Sequence, residues 1–155
     1  MSELLQVVVF RLDGQRYALP LAVVRRIVRA VEVTPLPGAP PIVLGAINVA
    51  GSILPVLNLR RRFLLPERTI GLDDQFLLAQ SPGRAVALVI DEAHGVIDCE
   101  LSDVVGADRI VHGLEQFQGV IKLEDGLVLI HALEKFLSLD ETRGLNQALE
   151  RAAPC

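Results

Sequence analysis

Apolar residues in this chain come in short runs that alternate or continue for one strand's length and then break at turn-forming residues. Leu5 to Leu12 is the first such run, Asp13-Gly14 is a strong two-residue turn, and Arg16 to Leu19 returns, which predicts a hairpin. After Pro20 a short turn is expected, and Val24, Ile27, Val28 and Val31 then fit either a helix or a kinked strand, with β-branched residues favouring a strand in the later part. Pro35 to Pro41 reads as a rigid extended connector, because a residue preceding proline is pushed toward β or polyproline geometry. Ile47 and Val49 alternate with polar or small neighbours and Ile53 continues the pattern past a Gly-Ser turn, so Gly45 to Leu54 predicts a second hairpin. Beyond Pro55 the spacing of Val56, Leu59 and Phe63 changes to that of a short helix, with Arg60, Arg61 and Arg62 turned toward water.

The second half continues in the same style. Gln75 to Gln80 predicts a strand, Ser81-Pro82-Gly83 a turn, and Ala85 to Ile90 a buried strand of continuous apolar character. Gly95 to Cys99 reads as a further strand with Asp98 outward, and residues 100 to 115 as an acidic, irregular loop. Phe117 to Leu123, the turn Glu124-Asp125-Gly126 and Leu127 to His131 predict a last hairpin, followed by a helix over Leu133 to Leu137 and a terminal helix over 141–152 docked by Leu145 and Leu149.

The halves repeat. Gly45-Ala46-Ile47 through Leu59 matches Gly119-Val120-Ile121 through Leu133 at an offset of 74. Gly14, Tyr17, Leu19, Ile27 and Val28 match Gly83, Val86, Leu88, Val96 and Ile97 at an offset of 69. Short strands with closely spaced turns and little helix give a mainly β fold of two small barrels packed together, with a cleft between lobes as a natural binding place. The lobes are expected at roughly 12–75 and 76–138 with the N-terminal strand shared.

Charge sharpens this picture. Residues 1–68 hold nine arginines against four acids and residues 69–155 six bases against fifteen acids, so the halves differ in sign, +5 against −9. Two readings stand: a dipole that steers charged partners or orients head-to-tail packing, or ordinary solvated surface. The acidic balance and the absence of Trp argue against nucleic-acid binding. No charge falls between Val33 and Leu59, yet the five prolines and three glycines of that stretch rule out a membrane span. Met1-Ser2-Glu3 has no basic n-region and Arg11 breaks the following apolar run, so a cytoplasmic protein is expected, with Cys99 and Cys155 as reduced thiols.

Catalytic patterns are sparse. Gly45 and Gly51 have neither the lysine of a P-loop nor a dinucleotide fingerprint, and Ser52 has no nucleophile elbow around it. His94 lies near Asp91 and Glu92, which leaves a small hydrolase or metal enzyme at His94/Asp91 as one reading and a solvated turn as the other, since His112 and His131 stand at no ligand spacing. Asp98 and Glu100 read as a solvated strand edge. The runs Arg60 to Arg62 and Arg25-Arg26 are either a docking patch for an acidic partner or a solvated face, and Val24, Ile27 and Val56 either line an exposed groove or belong to the core.

The spacing Phe10-x-x-x-Gly14-x-x-Tyr17-Ala18-Leu19-Pro20-Leu21, Val24-x-x-Ile27, Leu36-Pro37, and above all Gly45-x-Ile47-Asn48-x-x-Gly51-x-Ile53-Leu54-Pro55-Val56-x-x-Leu59-Arg60, resembles the CheW family of chemotaxis coupling proteins over nearly the whole chain. The resemblance implies two SH3-like five-stranded β-barrels around a shared core. It also implies a cytoplasmic, non-enzymatic adaptor without cofactor or metal, recruited to membrane-associated arrays, that joins the tip of a methyl-accepting receptor to the regulatory domain of a histidine autokinase. Val24, Ile27, Gly45 and Gly51 fall in the family's partner-binding region, with Val56 and Val86 beside them. Three positions depart from the family pattern: Arg26 stands for an acid, Ala50 for an arginine, and Asn58 for an aspartate. Joint loss of an acid and an arginine suggests a pair dispensed with as a unit, and keeps open a divergent adaptor or a regulator that engages only one partner.

Overall fold

The computed structural model describes residues 4–81, 84–106, 117–123, 126–131 and 139–152. Eleven strands are described in chain order: β1 (Leu4–Leu12), β2 (Gln15–Pro20), β3 (Val24–Arg29), β4 (Val43–Val49), β5 (Ser52–Leu57), β6 (Gln75–Ser81), β7 (Arg84–Ile90), β8 (Glu92–Glu100), β9 (Val104–Gly106), β10 (Phe117–Leu123) and β11 (Gly126–His131). Two α-helices accompany them, α1 (Leu59–Arg62) and α2 (Leu139–Ala152). The strands form a six-stranded sheet in the order β8-β1-β2-β11-β10-β9 and a five-stranded sheet in the order β3-β6-β7-β5-β4.

The apolar runs exist because most of these strands are buried on both faces. In the six-stranded sheet Val7, Val9, Ala18, Ile121, Val128 and Ile130 face one cluster, joined by Ile97 and Cys99 of β8 and Val104 of β9. Strands from the two ends of the sheet order thus share one interior, so the sheet curls round on itself. In the five-stranded sheet Ile47, Leu54, Val56, Phe76, Leu78 and Ala87 fill an equivalent interior. Its ends are drawn together where Thr34, just past β3, bridges Ala46 of β4 through backbone hydrogen bonds of 2.9 and 2.8 Å. The alternate residues Val8, Phe10, Tyr17, Leu19, Leu57, Leu77, Val86, Leu88 and Ile90 make the shared core between the sheets. Helix α2 covers that seam with Leu145, which is fully buried, and Leu149.

The half-repeat holds at the level of single residues. The β4–β5 pairing slips between Val43 and Gly45, and the β10–β11 pairing slips 74 residues later, between Phe117 and Gly119. The β3–β6 pairing slips between Val24 and Arg26, and the β8–β1 pairing slips where Ala93 and Gly95 stand, 69 residues on. Arg25 and His94 are therefore equivalent bulge residues. Each half also sends its third strand into the other's sheet: β3 follows β2 but pairs with β6, and β8 follows β7 but pairs with β1.

That exchange corrects the expected lobe boundaries. β2 belongs with β8 to β11, and β6 and β7 belong with β3 to β5, so the sheets do not divide the chain between residues 75 and 76. Other corrections are local. The hairpin turn is Ala50-Gly51 rather than Gly-Ser, because Val49 pairs with Ser52. Pro55 and Val56 stay in β5, where Pro55 faces Ala46, and the helix begins only after Asn58, whose side chain accepts the Arg61 N–H as its cap. The stretch expected to be irregular contains a short 3-10 turn (Leu101–Asp103) and β9, which pairs with β10. The expected helix over 133–137, residues 107–116 and the turn residues 82–83 and 124–125 lie outside the described residues.

Candidate partner-binding face and the ion network behind it

The sequence singles out eight residues for partner contact, and the fold divides them by direction. Val56 is fully buried and Val86 nearly so, the first inside the five-stranded barrel and the second in the seam. Neither can touch a partner, because both are packed among other core side chains; they set the shape beneath the surface. Gly45 is also turned inward. Its φ is +155°, and a Cβ built there would overlap the Thr34 carbonyl and lie 2.7 Å from Val33 Cγ1. The backbone whose close approach requires a glycine is the chain's own, at the bridge that closes the barrel.

The outward set is Val24, Arg26, Ile27, Ala50 and Gly51. Val24 and Ile27 are half-buried on β3 and pack on the rim of the shared core. The bulge in β3 leaves both Arg25 and Arg26 exposed, with Arg29 exposed beyond them. Ala50 and Gly51 form the β4–β5 turn with φ of +50° and +88°, and the Asn48 side-chain oxygen accepts the Gly51 N–H at 2.9 Å. Two successive residues at positive φ are what a two-residue hairpin turn demands, and Ala50 meets the demand without a side chain suited to it.

Arg60, expected in water, is instead buried. Its guanidinium donates to both carboxylate oxygens of Asp91 at 2.9 and 3.1 Å, to Asp13 at 3.2 Å and to the Pro66 carbonyl at 3.0 Å. Arg68 grips Asp74 through two hydrogen bonds of 2.7 and 2.9 Å and reaches Asp91 at 2.8 Å. Asp74 in turn accepts the Gly71 N–H. The network ties together the β1–β2 turn, α1, the loop before β6 and the corner where β7 passes into β8. Burial by itself would raise the Asp91 carboxyl, but the Asp13 N–H, Arg60 and Arg68 outweigh it and hold the group below its ordinary value. Hydrogen bonding to Asp74 raises Arg68 further. The remaining arginines of the run are paired as well, Arg61 with Glu67 at 3.5 Å and Arg62 with Glu141 of α2. These contacts bury Arg60 and pair Arg61 and Arg62 within the chain, while Arg25 and Arg26 stay exposed on β3.

The same contacts undo the His94/Asp91 constellation. Asp91 is turned into the network, while His94 is an exposed bulge residue whose nearest acid is Glu92 at 3.9 Å. Among the described residues no group of three or more His, Cys, Asp or Glu could hold a metal ion. The cleft of about 540 Å³ beside α1 is lined by Arg61, Arg62, Glu67 and Glu141, which pair with one another, and by Ile42, Leu64 and Leu65. Cys99 sits against the interior of the six-stranded barrel and donates to the Leu5 carbonyl; burial, then Asp103 and Asp98, push its thiol up. A thiol so placed is a core residue rather than a nucleophile. No described helix is long and apolar enough to cross a membrane.

Comparison with known proteins accounts for this arrangement. The profile described as CheW-like domain matches residues 6–141. The chain is 28% identical to Chemotaxis protein CheW of Treponema pallidum over 93% of its own length and 88% of the relative's. It is 31% identical to Chemotaxis protein CheW of Bacillus subtilis over 81% of each chain. Its fold is similar to the crystal structure of the scaffolding protein TtCheW from Thermoanaerobacter tengcongensis, with a TM-score of 0.80, 26% identity, and coverage of 91% of this chain and 96% of that one. With the fold, the half-repeat and the sequence all in agreement, this chain belongs to the CheW-like family of chemotaxis scaffolding and adaptor proteins.

Proposed function

We propose that the chain couples the cytoplasmic tip of a methyl-accepting receptor to the regulatory domain of a histidine autokinase, and that it performs no reaction itself. The observation that carries this reading is the family-wide match over residues 6–141 together with a half-exposed β3 and turn in the region the resemblance assigns to partners. Val24 and Ile27 supply apolar contact at the rim, and the Ala50-Gly51 turn has no bulky side chain to hinder approach. The working place of such an adaptor is the cytoplasmic side of a receptor array. Titration of the full chain against the cognate kinase regulatory domain and receptor-tip fragment, each separately, tests the proposal: binding to both is expected, and binding to neither discards it.

Arg26 and Ala50 favour a second reading, a regulator that engages one partner only, or an adaptor of a non-flagellar chemosensory pathway. The paired substitution Arg26→Glu with Ala50→Arg restores the family pattern. A gain of affinity for one fragment and not the other would identify the altered partner, whereas unchanged binding to both would make the departures neutral.

A further inference from the structure

The cleft of about 540 Å³ beside α1 has the size of a small-molecule site, and its wall carries hydrogen-bonding groups that the fold leaves unused. Arg61 approaches Glu67 Oε1 at 3.5 Å, beyond a good hydrogen bond, and among the described residues its guanidinium makes no hydrogen bond. That Glu67 oxygen is already taken by the Asn58 amide at 2.9 Å, and among the described residues nothing donates to Oε2. Arg62 reaches Glu141 through a terminal nitrogen, while its Nε is enclosed with no acceptor among the described residues. A small turn of that side chain toward an acceptor in the cleft would satisfy it. The charged lining, two arginines against two glutamates, sums to zero. A simple ion would lose at one sign what it gains at the other, whereas a ligand carrying both signs gains at both.

Leu64, at the lip of the cleft, is 92% exposed and has a φ of +58°. Its N–H donates to the Arg61 carbonyl at 3.3 Å and the Leu65 N–H donates to the Arg60 carbonyl at 2.8 Å, the bonds of a helix end whose turning residue is ordinarily glycine. A leucine there bears the strain of its Cβ and buries almost nothing in return, so folding alone does not favour it. With Ile42 and Leu65 it sets an apolar wall beside the charges.

We propose that this cleft binds a small zwitterion with an apolar side chain, the chemistry of a branched aliphatic α-amino acid. The carboxylate lies against Arg61 and Arg62, the ammonium against Glu67, and the side chain against Leu64. Arg61 and Glu67 are neighbours in the cleft, as are the two charges that a single α-carbon carries. Neither β3 nor the Ala50-Gly51 turn lines the cleft, so binding there requires no receptor or kinase.

The test uses the full chain alone with L-leucine as the probe, followed by NMR at the arginine Nε–H and leucine methyl groups. Saturable shifts at Arg62 and Leu64 are expected at roughly millimolar leucine, in keeping with a ligand of few atoms in a cleft open to water. Glycine lacks the apolar group, N-acetyl-L-leucine the ammonium and L-leucinamide the carboxylate, and each should bind about tenfold more weakly. Arg61→Ala and Glu67→Gln should weaken leucine binding by a similar factor, with circular dichroism melts as the check on folding. Should Arg61→Ala disturb the fold, Glu67→Gln, which keeps an acceptor for Asn58, carries the comparison. Leu64→Gly should raise the melting midpoint, because the strain relieved exceeds the freedom glycine adds to the unfolded chain, and should weaken leucine binding at the same time. No saturable shift, N-acetyl-leucine or leucinamide binding as tightly as leucine, or unchanged leucine binding by Leu64→Gly would each overturn the proposal. A lower midpoint for Leu64→Gly would overturn it too, since Leu64 would then be serving the fold.

Discussion

The residues that a motif marks for partner contact fall into two groups in this molecule, and the contrast explains what such a motif encodes. Gly45, Val56 and Val86, with Arg60 from the neighbouring arginine run, face the chain's own interior. Arg25, Arg26, Ala50 and Gly51 face water. The first group builds the barrel and locks its corner; the second decorates what has been built. Substitutions in the first should cost packing as well as backbone strain and those in the second backbone strain at most, so two glycines of one hairpin should behave differently. Gly45→Ala would drive a methyl into the Thr34 carbonyl and break the Thr34–Ala46 bridge, which should destabilise by about 3 kcal/mol or more. Gly51→Ala meets no atom within 4 Å and suffers only its φ of +88°, a cost of about 1–2 kcal/mol. Urea denaturation of both variants reads the difference; equal losses would erase the distinction between inward and outward glycine.

Charge divides along the same line. Asp91→Ala strips Arg60 of its best partner inside the corner while leaving it Asp13 and the Pro66 carbonyl, so a loss of about 3 kcal/mol is expected, at the lower end for a broken buried pair. Arg26→Ala, on the exposed strand, should stay within about 0.5 kcal/mol of wild type. The network also predicts a pH dependence. Because the folded state holds Asp91 below its ordinary value of 3.8, its contribution is complete above that value and is lost as pH falls through the lower, folded one. The wild type should therefore lose stability on acidification below about pH 4, and Asp91→Asn, already less stable at neutral pH, should show a shallower acid slope. Equal slopes would mean that other carboxylates govern acid unfolding.

What the sequence disclosed and what it hid follow from the same physics. Strand positions were legible because burial on both faces forces continuous apolar runs, as in Phe76-Leu77-Leu78-Ala79, and the repeat was legible because both halves need a small residue where the pairing slips, at Gly45 and Gly119. The exchange of β3 and β8 left no mark, since a strand that pairs with one neighbour reads the same as one that pairs with another. Arg60 was misplaced for a related reason. Three consecutive arginines look alike in a helical pattern, and only Asp13 and Asp91, distant in sequence, select which of them is enclosed. A signal existed in Asp13-Gly14 and Asp91, two acids at strand ends in an apolar setting, but its partner could not be named before the fold was known. Val56 and Val86 are the converse case: neighbours of a binding motif, conspicuous in sequence, yet required beneath it.

The smallest effect separates folding from recognition at a single exposed residue. Ala50 holds φ at +50° in a two-residue turn, where asparagine is tolerated because its short side chain can bond locally, while alanine meets the full steric penalty of its Cβ. Ala50→Asn should therefore stabilise the chain by about 0.5–1 kcal/mol, seen as a higher denaturation midpoint at unchanged slope. The turn is exposed: among the described residues a Cβ at Gly51 would meet nothing within 4 Å, and Asn48 already secures the Gly51 N–H. Ala50→Arg, the change that restores the family pattern, gains no such relief, because arginine carries the same Cβ into the same conformation. If Ala50→Arg alters partner affinity without changing stability and Ala50→Asn does the reverse, the position is a surface determinant on a strained turn. Were both to shift stability equally, the side chain at residue 50 would have to be making contacts within the chain, and it would belong with Gly45 rather than with Arg26.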